Sequence, residues 1–367
     1  MTTLTATVVE PDEARSDPMP DQRGALMTAE IAEQPEALAR LLEPGPMAQA
    51  RQLAGTIMAR DPRFVLLAAR GTSDHAALYA KYLIEVHLGL PAGLASPSTI
   101  TAYGARPELS DVLLLTVSQS GTSPDLIETV STARAGGATT LAVTNSPDSV
   151  LATTAEFHFD ALAGPEHCVA ATKSYSAELL SLWLIVEGML GRDGAPAHAV
   201  PAAAASLVGR RDEVAELAGR YRFTDRLVTT ARGYSYATAR EAALKLMETS
   251  YVGAHAFSGA DLLHGPLAMI DHDNPVLAVV PDGRGADAMR PVLDRLAERG
   301  ADVAVFGGAQ CTHLGTIGFD VGCGRLAEDL HPVVDIIPLQ QLALEMALAR
   351  GYDPDAPRGL TKQTSTR

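Results

Sequence analysis

The stretch 112–125, VLLLTVSQSGTSPD, restricts the possible folds of this chain more than any other stretch. It opens with a mostly apolar run, which is typical of a strand in a parallel sheet covered on both faces. Hydroxyl residues and Gly121 follow, and then Pro124 and Asp125, which suit the first turn of a helix. A helix N-terminus at the carboxyl end of a parallel strand presents free backbone N–H groups. The stretch therefore predicts a strand, a phosphate-binding turn and a helix, although an ordinary N-cap is the simpler alternative.

A second strand and turn lie earlier in the chain. The apolar run 64–69, FVLLAA, leads into Arg70, Gly71, Thr72 and Ser73 and then into a helical segment, 76–87. Taken alone, this turn is a common one. Because the carboxyl ends of adjacent parallel strands meet at one edge of a sheet, we expect its hydroxyls to lie beside those of the first turn.

A repeat indicates that the fold is duplicated. ARGTS at 69–73 has a counterpart, ARGYS, at 231–235, which is 162 residues further along the chain. Each copy follows an apolar strand and leads into an alanine-rich helix, although chance similarity is the alternative in a chain rich in Ala and Gly. The repeat predicts an α/β fold, a tandem duplication of a doubly wound, flavodoxin-like parallel-sheet domain.

The domain organisation follows from these patterns. With 367 residues, 47% of them hydrophobic, the chain can bury a large core. We predict a flexible tail at 1–25 and a first domain at 26–190 that begins with one or two short helices. A Gly-, Pro- and Ala-rich linker and a helix are expected at 191–222, and the second domain at 223–350. The remaining segment, 351–367, is polar, and a free tail is the default expectation for it.

Charge and cysteine usage exclude several classes of partner. The formal net charge of −15 argues against nucleic acid or an anionic membrane, because either requires a basic surface. No apolar run was expected to be long enough to span a membrane, and acidic residues interrupt the position of a signal peptide. Cys168, Cys311 and Cys323 are scattered without metal-binding spacing, which indicates a reducing, cytoplasmic location. A small anionic substrate stays possible.

The second half carries the ionisable residues of interest. The segment 240–250, REAALKLMETS, places Glu241, Lys245 and Glu248 on one face of a helix. For Glu241 and Lys245 a solvated salt-bridge face is the favoured interpretation, with Leu244 and Met247 directed to the core.

His264 is expected on a tight turn, because Gly265 and Pro266 cannot continue a helix. A lone histidine is more often structural than functional, so this one needs independent support.

Together these stretches resemble the sugar isomerase (SIS) domain family, most closely the isomerase half of glucosamine-6-phosphate synthase and the SIS-type glucosamine-6-phosphate deaminases. The resemblance runs from about residue 27 to residue 362. The matching blocks are MTAEIAEQP, ARGTSDHA, SQSGTSPD, GPEHCVAATKSYSAEL, EAALKLMETSY, LLHGPLAMI and DPDAPRGLTK. SIS domains are doubly wound α/β domains, so the resemblance agrees with the fold predicted from the residues.

The resemblance implies roles for particular positions. Glu248 falls on the family's general base, which moves a proton between C1 and C2 of the open-chain sugar. His264 falls on the histidine that opens the sugar ring from the neighbouring subunit, which implies a homodimer. Lys362 falls on the C-terminal lysine that contacts the sugar and, in the synthases, can form an imine with a ketose carbonyl. The positions that resemble the sugar-phosphate site are Thr72, Ser73, Ser118, Gln119, Ser120, Ser123 and Val169. The resemblance implies neither a metal nor a cofactor.

Some positions depart from the synthase pattern. The chain enters the SIS region almost at once, so we expect no glutaminase domain and no supply of ammonia from glutamine. Thr122 stands where synthases carry an acid, and Met247 and Leu263 replace lysines beside the base and the histidine. We therefore expect a hexosamine 6-phosphate substrate and isomerising deamination of glucosamine 6-phosphate to fructose 6-phosphate and ammonia.

Three alternatives stay open. With N-acetylglucosamine 6-phosphate, proton abstraction at C2 could eliminate the C3 hydroxyl as water, which would make the protein a dehydratase. The chain could also be another aldose–ketose isomerase of a phosphosugar. A non-catalytic sugar-phosphate sensor is the third, although the presence of Glu248, His264 and Lys362 argues against it.

Overall fold

The computed structural model describes residues 22–322 and 326–362, in which strands and helices alternate. The strands are β1 Phe64–Ala68, β2 Ala92–Leu94, β3 Val112–Ser118, β4 Thr139–Thr144, β5 Phe157–Asp160, β6 Arg226–Ala231, β7 Gly253–Ser258, β8 Val276–Val280, β9 Val303–Gly307 and β10 Ile317–Asp320. The helices are α1 Ala25–Ala32, α2 Gln34–Leu41, α3 Pro44–Met58, α4 Thr72–Leu83, α5 Ser98–Thr101, α6 Pro124–Ala135, α7 Val150–Thr154, α8 Lys173–Met189, α9 Val200–Val208, α10 Arg211–Tyr221, α11 Tyr236–Ser250, α12 Gly259–Leu263, α13 Arg284–Glu298 and α14 His331–Ala349. The predicted tail at 1–25 falls mostly outside the described residues, as do Cys323 and the last five positions.

Each half of the chain forms a five-stranded parallel sheet. The strand orders are β2-β1-β3-β4-β5 and β7-β6-β8-β9-β10, so the second sheet repeats the first. In the first sheet, Leu113 of β3 pairs with Val65 of β1 on one side and with Thr139 of β4 on the other. This is the strand order of a flavodoxin-like doubly wound sheet. The predicted tandem duplication is confirmed.

The 162-residue repeat extends well beyond the motif that revealed it. It carries Ser118, the last residue of β3, onto Val280, the last residue of β8. It also carries Gly121 onto Gly283, and both glycines have positive φ angles, 63° and 137°. A helix begins shortly after each glycine, so the strand, turn and helix unit is present twice.

The two halves share one hydrophobic core. Helix α8 is buried along its whole length, and it packs against α14, which is buried along most of its length. One cluster of buried side chains contains Trp183 of α8, Leu342 of α14 and strand residues of both sheets, including Leu115 and Leu277. Contrary to the sequence expectation, one helical span, Glu328–Ala349, is long and apolar enough to cross a membrane by length and composition. It is 83% buried inside the protein, as a core helix would be.

The segment after residue 190 differs from the expected linker. It forms a 3₁₀ turn, Ala195–Ala199, and then α9, which packs against α2 and α14. Alanine favours helix, and Pro201 lies in the first turn of α9, where its missing N–H is not needed. Helix α10 ends at Tyr221, close to the predicted position. The first helical pattern forms two short helices, α1 and α2, as expected.

Candidate functional site

The turn between β3 and α6 presents several hydroxyls at the start of a helix. The Ser118 Oγ accepts the Gly121 N–H at 3.2 Å, and the hydroxyls of Ser120 and Thr122 lie 2.9 Å apart. Ser123 is the N-cap residue of α6, but its side chain makes no capping hydrogen bond. The turn therefore presents hydroxyls at a helix N-terminus, whereas Pro124 lacks an N–H and the Leu126 N–H donates to the Asp125 carboxylate at 2.9 Å.

The two turns of the first domain lie side by side. Strands β1 and β3 are neighbours, and Arg70, just after β1, pairs with the buried Asp125 of α6 at 2.7 Å. The hydroxyls of the turn after β1 nevertheless bind protein groups. Thr72 Oγ1 donates to Glu241 at 3.0 Å, and Ser73 Oγ donates to Glu178 at 2.9 Å. In this conformation the two hydroxyls anchor the turn.

The charged face of α11 is buried, so the expectation of a solvated salt-bridge face was wrong. Glu241 and Lys245 are both 0% exposed, whereas Met247, predicted to face the core, is 42% exposed. Leu244 is only half-buried. The reason is tertiary, because α4 of the first domain packs against α11 and covers this face.

The buried charges on α11 balance one another. Lys245 Nζ lies 3.3 Å from Glu241 and 2.6 Å from Glu248, and His75 Nδ1 lies 2.7 Å from Glu241. Burial lowers the pKa of Lys245, but the charges of Glu241 and Glu248 raise it above its ordinary value overall. Burial raises the pKa of Glu241, yet Lys245 and His75 bring it below its ordinary value. Both groups therefore stay ionised inside the protein.

Glu248 lies at the edge of this cluster. Its side chain is 22% exposed, and its carboxylate lies 2.6 Å from the buried Lys245 ammonium, with which it forms an ion pair. A carboxylate that is fixed on one side and open on the other can reach a ligand without losing its position. The geometry therefore suits the role of general base that the resemblance implies.

Lys362 lies in a cavity of about 570 Å³ that is also lined by Gln119, Ser120 and Thr122. The C-terminal segment and the hydroxyl-rich turn thus meet around one space, although they are more than 200 positions apart in the chain. The volume falls within the range of small-molecule sites.

Glu166 holds Lys362 in that cavity. Its fully buried carboxylate lies 2.8 Å from Lys362 Nζ and accepts the backbone N–H groups of Thr172 and Ser174, each at 3.0 Å. Burial raises the pKa of Glu166, but the Lys362 charge and the hydrogen bonds bring it below its ordinary value. Lys362 Nζ therefore already donates a hydrogen bond to a protein carboxylate in this conformation.

The C-terminal segment is docked on the protein as far as Lys362, the last described residue. The Asp355 carboxylate accepts the N–H groups of Leu26 and Met27 at 2.8 and 2.9 Å, at the start of α1. The Arg358 guanidinium lies 3.8 Å from the centre of the Tyr251 ring. These contacts fix the approach of Lys362 to its cavity.

Two predicted site residues lie outside the groups described above. His264 is exposed on the segment after α12 and does not line the Lys362 cavity. Val169 is half-buried in the loop before α8 and does not line it either. Within 22–322 and 326–362, three possible metal ligands fall together, Asp271, His272 and Asp273, but they are neighbours on an exposed turn.

Sequence reasoning did not assign four polar residues to this site, although it named one of them, Lys245, as part of a solvated face. These are His75, Glu166, Glu178 and Lys245. The duplication offered a signal for Lys245, because equivalent helices of two packed copies, α4 and α11, can be expected to contact each other. Such a contact buries whatever lies on the shared face.

The two halves of the chain match one domain family. The model of the SIS domain matches residues 59–188 and 222–349, so the chain belongs to the SIS domain family. Both matched segments coincide with the two sheets and their helices.

Individual relatives agree with this assignment. The chain is 32% identical over 360 residues to the glutamine–fructose-6-phosphate aminotransferase (isomerizing) of Acidithiobacillus ferridurans, covering 92% of this chain and 58% of that protein. It thus spans little more than half of the curated relatives' length. A crystal structure from Silicibacter pomeroyi DSS-3 has 33% identity and a TM-score of 0.80, covering 90% of this chain and 99% of that one. The C-terminal domain of the glucosamine-fructose-6-phosphate aminotransferase of Francisella tularensis has 26% identity and a TM-score of 0.80, covering 90% and 98%.

Proposed function

We propose that this protein converts glucosamine 6-phosphate and water to fructose 6-phosphate and ammonia. The observation that carries the proposal is the pairing of a partly open carboxylate, Glu248, with a buried ammonium, Lys245, in a SIS domain protein. The names of the relatives, which concern amino-sugar phosphates, support the choice of substrate class.

The proposed sequence of steps starts with phosphate capture. The turn 118–123 and the N-terminus of α6 bind the phosphate, with Gln119 and Ser120 beside Lys362. His264 opens the sugar ring. Glu248 then removes the C2 proton and returns a proton to C1, which leaves an imine at C2. Water adds to that imine and ammonia leaves, while charged Lys362 donates a hydrogen bond to the open-chain sugar.

Glu248→Gln tests the assignment of the base. The amide keeps the size of the side chain but cannot accept the C2 proton, so we expect turnover to fall by roughly 10³-fold while sugar-phosphate binding is retained. Ammonia and fructose 6-phosphate measure turnover, and calorimetric titration measures binding. Glu216→Gln, an exposed carboxylate on α10, is the matched control. Wild-type turnover in the Glu248 variant would remove this residue from the mechanism.

The products decide between this reaction and its alternatives. Ammonia with fructose 6-phosphate supports deamination. Ultraviolet absorbance from N-acetylglucosamine 6-phosphate without ammonia indicates a dehydratase. A ketose formed from an aldose phosphate that lacks nitrogen indicates a different phosphosugar isomerase, and binding without any product indicates a sensor.

We further propose that the protein works in the cytoplasm as a homodimer, with His264 of one protomer completing the site of the other. An exposed His264 that does not line the Lys362 cavity is compatible with a role across an interface. Equimolar Glu248→Gln and His264→Ala proteins, each nearly inactive, should regain about a quarter of wild-type activity after subunit exchange, because each mixed dimer keeps one intact site. No recovery in mixtures shown by mass spectrometry to contain mixed dimers would contradict the arrangement.

A further inference from the structure

A second cavity lies between the two domains, and its volume, about 1270 Å³, is more than twice that of the Lys362 cavity. Tyr82, Val86 and Trp183 line it from the first domain, and Tyr234 and Arg284 line it from the second. No residue assigned above to the reaction lines this cavity.

The repeat relates this cavity to the proposed catalytic site. The 162-residue offset carries Thr72 onto Tyr234 and carries Val86 onto Glu248. Val86 is 60% exposed and lines the cavity, so an apolar side chain stands where the other copy has its proposed base. A ligand in this cavity would meet no general base at that position.

The same offset shows what has happened to the phosphate turn of the second copy. Glu328 corresponds to Glu166, and its carboxylate accepts the N–H groups of Arg284 and Gly285 at 3.0 and 2.7 Å. Those amides correspond to Thr122 and Ser123 of the hydroxyl-rich turn. The protein's own carboxylate therefore takes the backbone donors, and an anion here must bind elsewhere.

Two arginines in the cavity offer that alternative. Within residues 22–322 and 326–362, neither the Arg232 nor the Arg284 guanidinium has a hydrogen-bond or ion-pair partner, whereas Arg192 in the same cavity pairs with Glu187 at 3.0 Å. The contrast with the first copy is informative. Arg70, the counterpart of Arg232, is neutralised by Asp125 at 2.7 Å.

An aromatic wall stands beside these arginines. The Asp329 carboxylate accepts the Trp183 indole N–H at 3.1 Å and lies 2.9 Å from His87 Nε2. The His87 ring stacks on Tyr234, with centroids 6.1 Å apart, and Tyr82 meets the edge of Tyr234 at 6.4 Å. These contacts hold a preformed apolar surface within a site of ligand size.

We propose that this cavity is a second, non-catalytic binding site for a small organic anion with a flat or apolar body. Arg232 and Arg284 bind the anionic group, and Tyr82, Tyr234 and Trp183 contact the body. The site does not depend on the proposed reaction.

The single tryptophan of the chain, Trp183, makes the proposal measurable. The probe is 1-anilinonaphthalene-8-sulfonate, an aromatic anion that accepts energy from tryptophan. We expect saturable energy transfer from Trp183, weakened about tenfold or more in Arg232→Gln/Arg284→Gln, because charge-assisted hydrogen bonds are lost. Arg106→Gln is the matched control, because Arg106 is exposed and its side chain donates to the neighbouring Ala105 carbonyl at 2.9 Å. Circular dichroism checks folding. If the double variant unfolds, the single variant Arg284→Gln replaces it in the test, because Arg284 is exposed.

Competition identifies the anionic group. Phenyl phosphate and benzoate both carry a phenyl ring and differ in their anionic group. Stronger displacement of the dye by one of them therefore shows whether the site prefers a phosphate or a carboxylate. Glu248→Gln should leave dye binding unchanged, which separates this site from the proposed catalytic one. Energy transfer that does not saturate, or that persists unchanged in the double arginine variant, would overturn the proposal.

Discussion

Among single residues, three buried carboxylates near the first-domain turns differ in their partners. Glu166 pairs with Lys362, and Glu241 pairs with Lys245 and His75. Among the described residues, Glu178 has no ion-pair partner. Its Oε1 accepts the Ser73 hydroxyl at 2.9 Å, and its Oε2 has no partner among the described residues. Burial raises the pKa of Glu178 to about 8, against a smaller lowering by the Ser73 hydrogen bond. Glu178 is therefore neutral at pH 7.

This pKa predicts how Glu178→Gln changes stability. The folded-state pKa is raised, so the contribution of Glu178 to wild-type stability falls as pH rises from about 4.5 toward 8, because in that window this carboxyl ionises only in the unfolded state. The variant cannot ionise. Its free energy of unfolding should match that of wild type near pH 4.5 and exceed it increasingly above, by up to about 1.4 kcal/mol per pH unit.

Urea unfolding at several pH values measures the difference between the two proteins. Glu216→Gln, exposed on α10, should show a gap that does not change with pH. A Glu178→Gln variant whose gap is flat between pH 4.5 and 8 would mean that Glu178 is ionised in the folded protein.

Among the elements, the turn between β3 and α6 depends on one glycine. Gly121 has a φ angle of 63°, and a Cβ there would lie 2.1 Å from the Oγ of Ser149. Ser149 in turn caps α7, since its Oγ accepts the Ala152 N–H. The turn and the start of α7 are therefore packed so closely that no side chain fits between them.

Gly121→Ala should displace both parts. We expect a loss of about 1–3 kcal/mol in the free energy of unfolding and a rise of roughly tenfold or more in KM for the sugar phosphate. Gly104→Ala separates the backbone strain of a positive φ from the steric clash with Ser149. Gly104 has a similar φ of 67°, but a Cβ added there would meet open space. It should lose stability and keep KM. Equal KM values for the two variants would argue against a role of the turn in binding.

In the whole molecule, the two ends of the described chain meet. Asp353 and Asp355 accept N–H groups at the start of α1, and Lys362 reaches Glu166 beyond them. The resulting arrangement ties the C-terminal segment to the first domain although it follows the second one in the chain.

Asp355→Ala should loosen this segment. Removing a capping carboxylate typically costs about 1 kcal/mol, so the open population, and with it tryptic cleavage after Arg358, should rise roughly fivefold. Mass spectrometry detects the chain that ends at Arg358. Asp212→Ala, exposed on α10, should not change the cleavage rate. A rate for Asp355→Ala equal to that of wild type would show that the segment is held by its other contacts.

Local sequence was enough to predict the doubly wound fold and its duplication. An apolar run such as 112–117 is typical of a strand with both faces covered, and the Gly- and hydroxyl-rich turn before Pro124 marks the point where that strand ends. The 162-residue repeat adds the second copy without any knowledge of contacts. These features depend on neighbours along the chain, so the sequence by itself determined them.

Only the tertiary structure decided which charged side chains are buried and where the C-terminal segment lies. Glu241 and Lys245 have the spacing of a solvated pair, and nothing local says that α4 will cover them. The Ala-rich segment after 191 becomes helix α9 because α2 and α14 provide a surface for it. Lys362 meets Glu166 across 196 positions, and the physical reason is the same in each case. Burial and ion pairing depend on which distant segment arrives, and spacing along the chain does not record that.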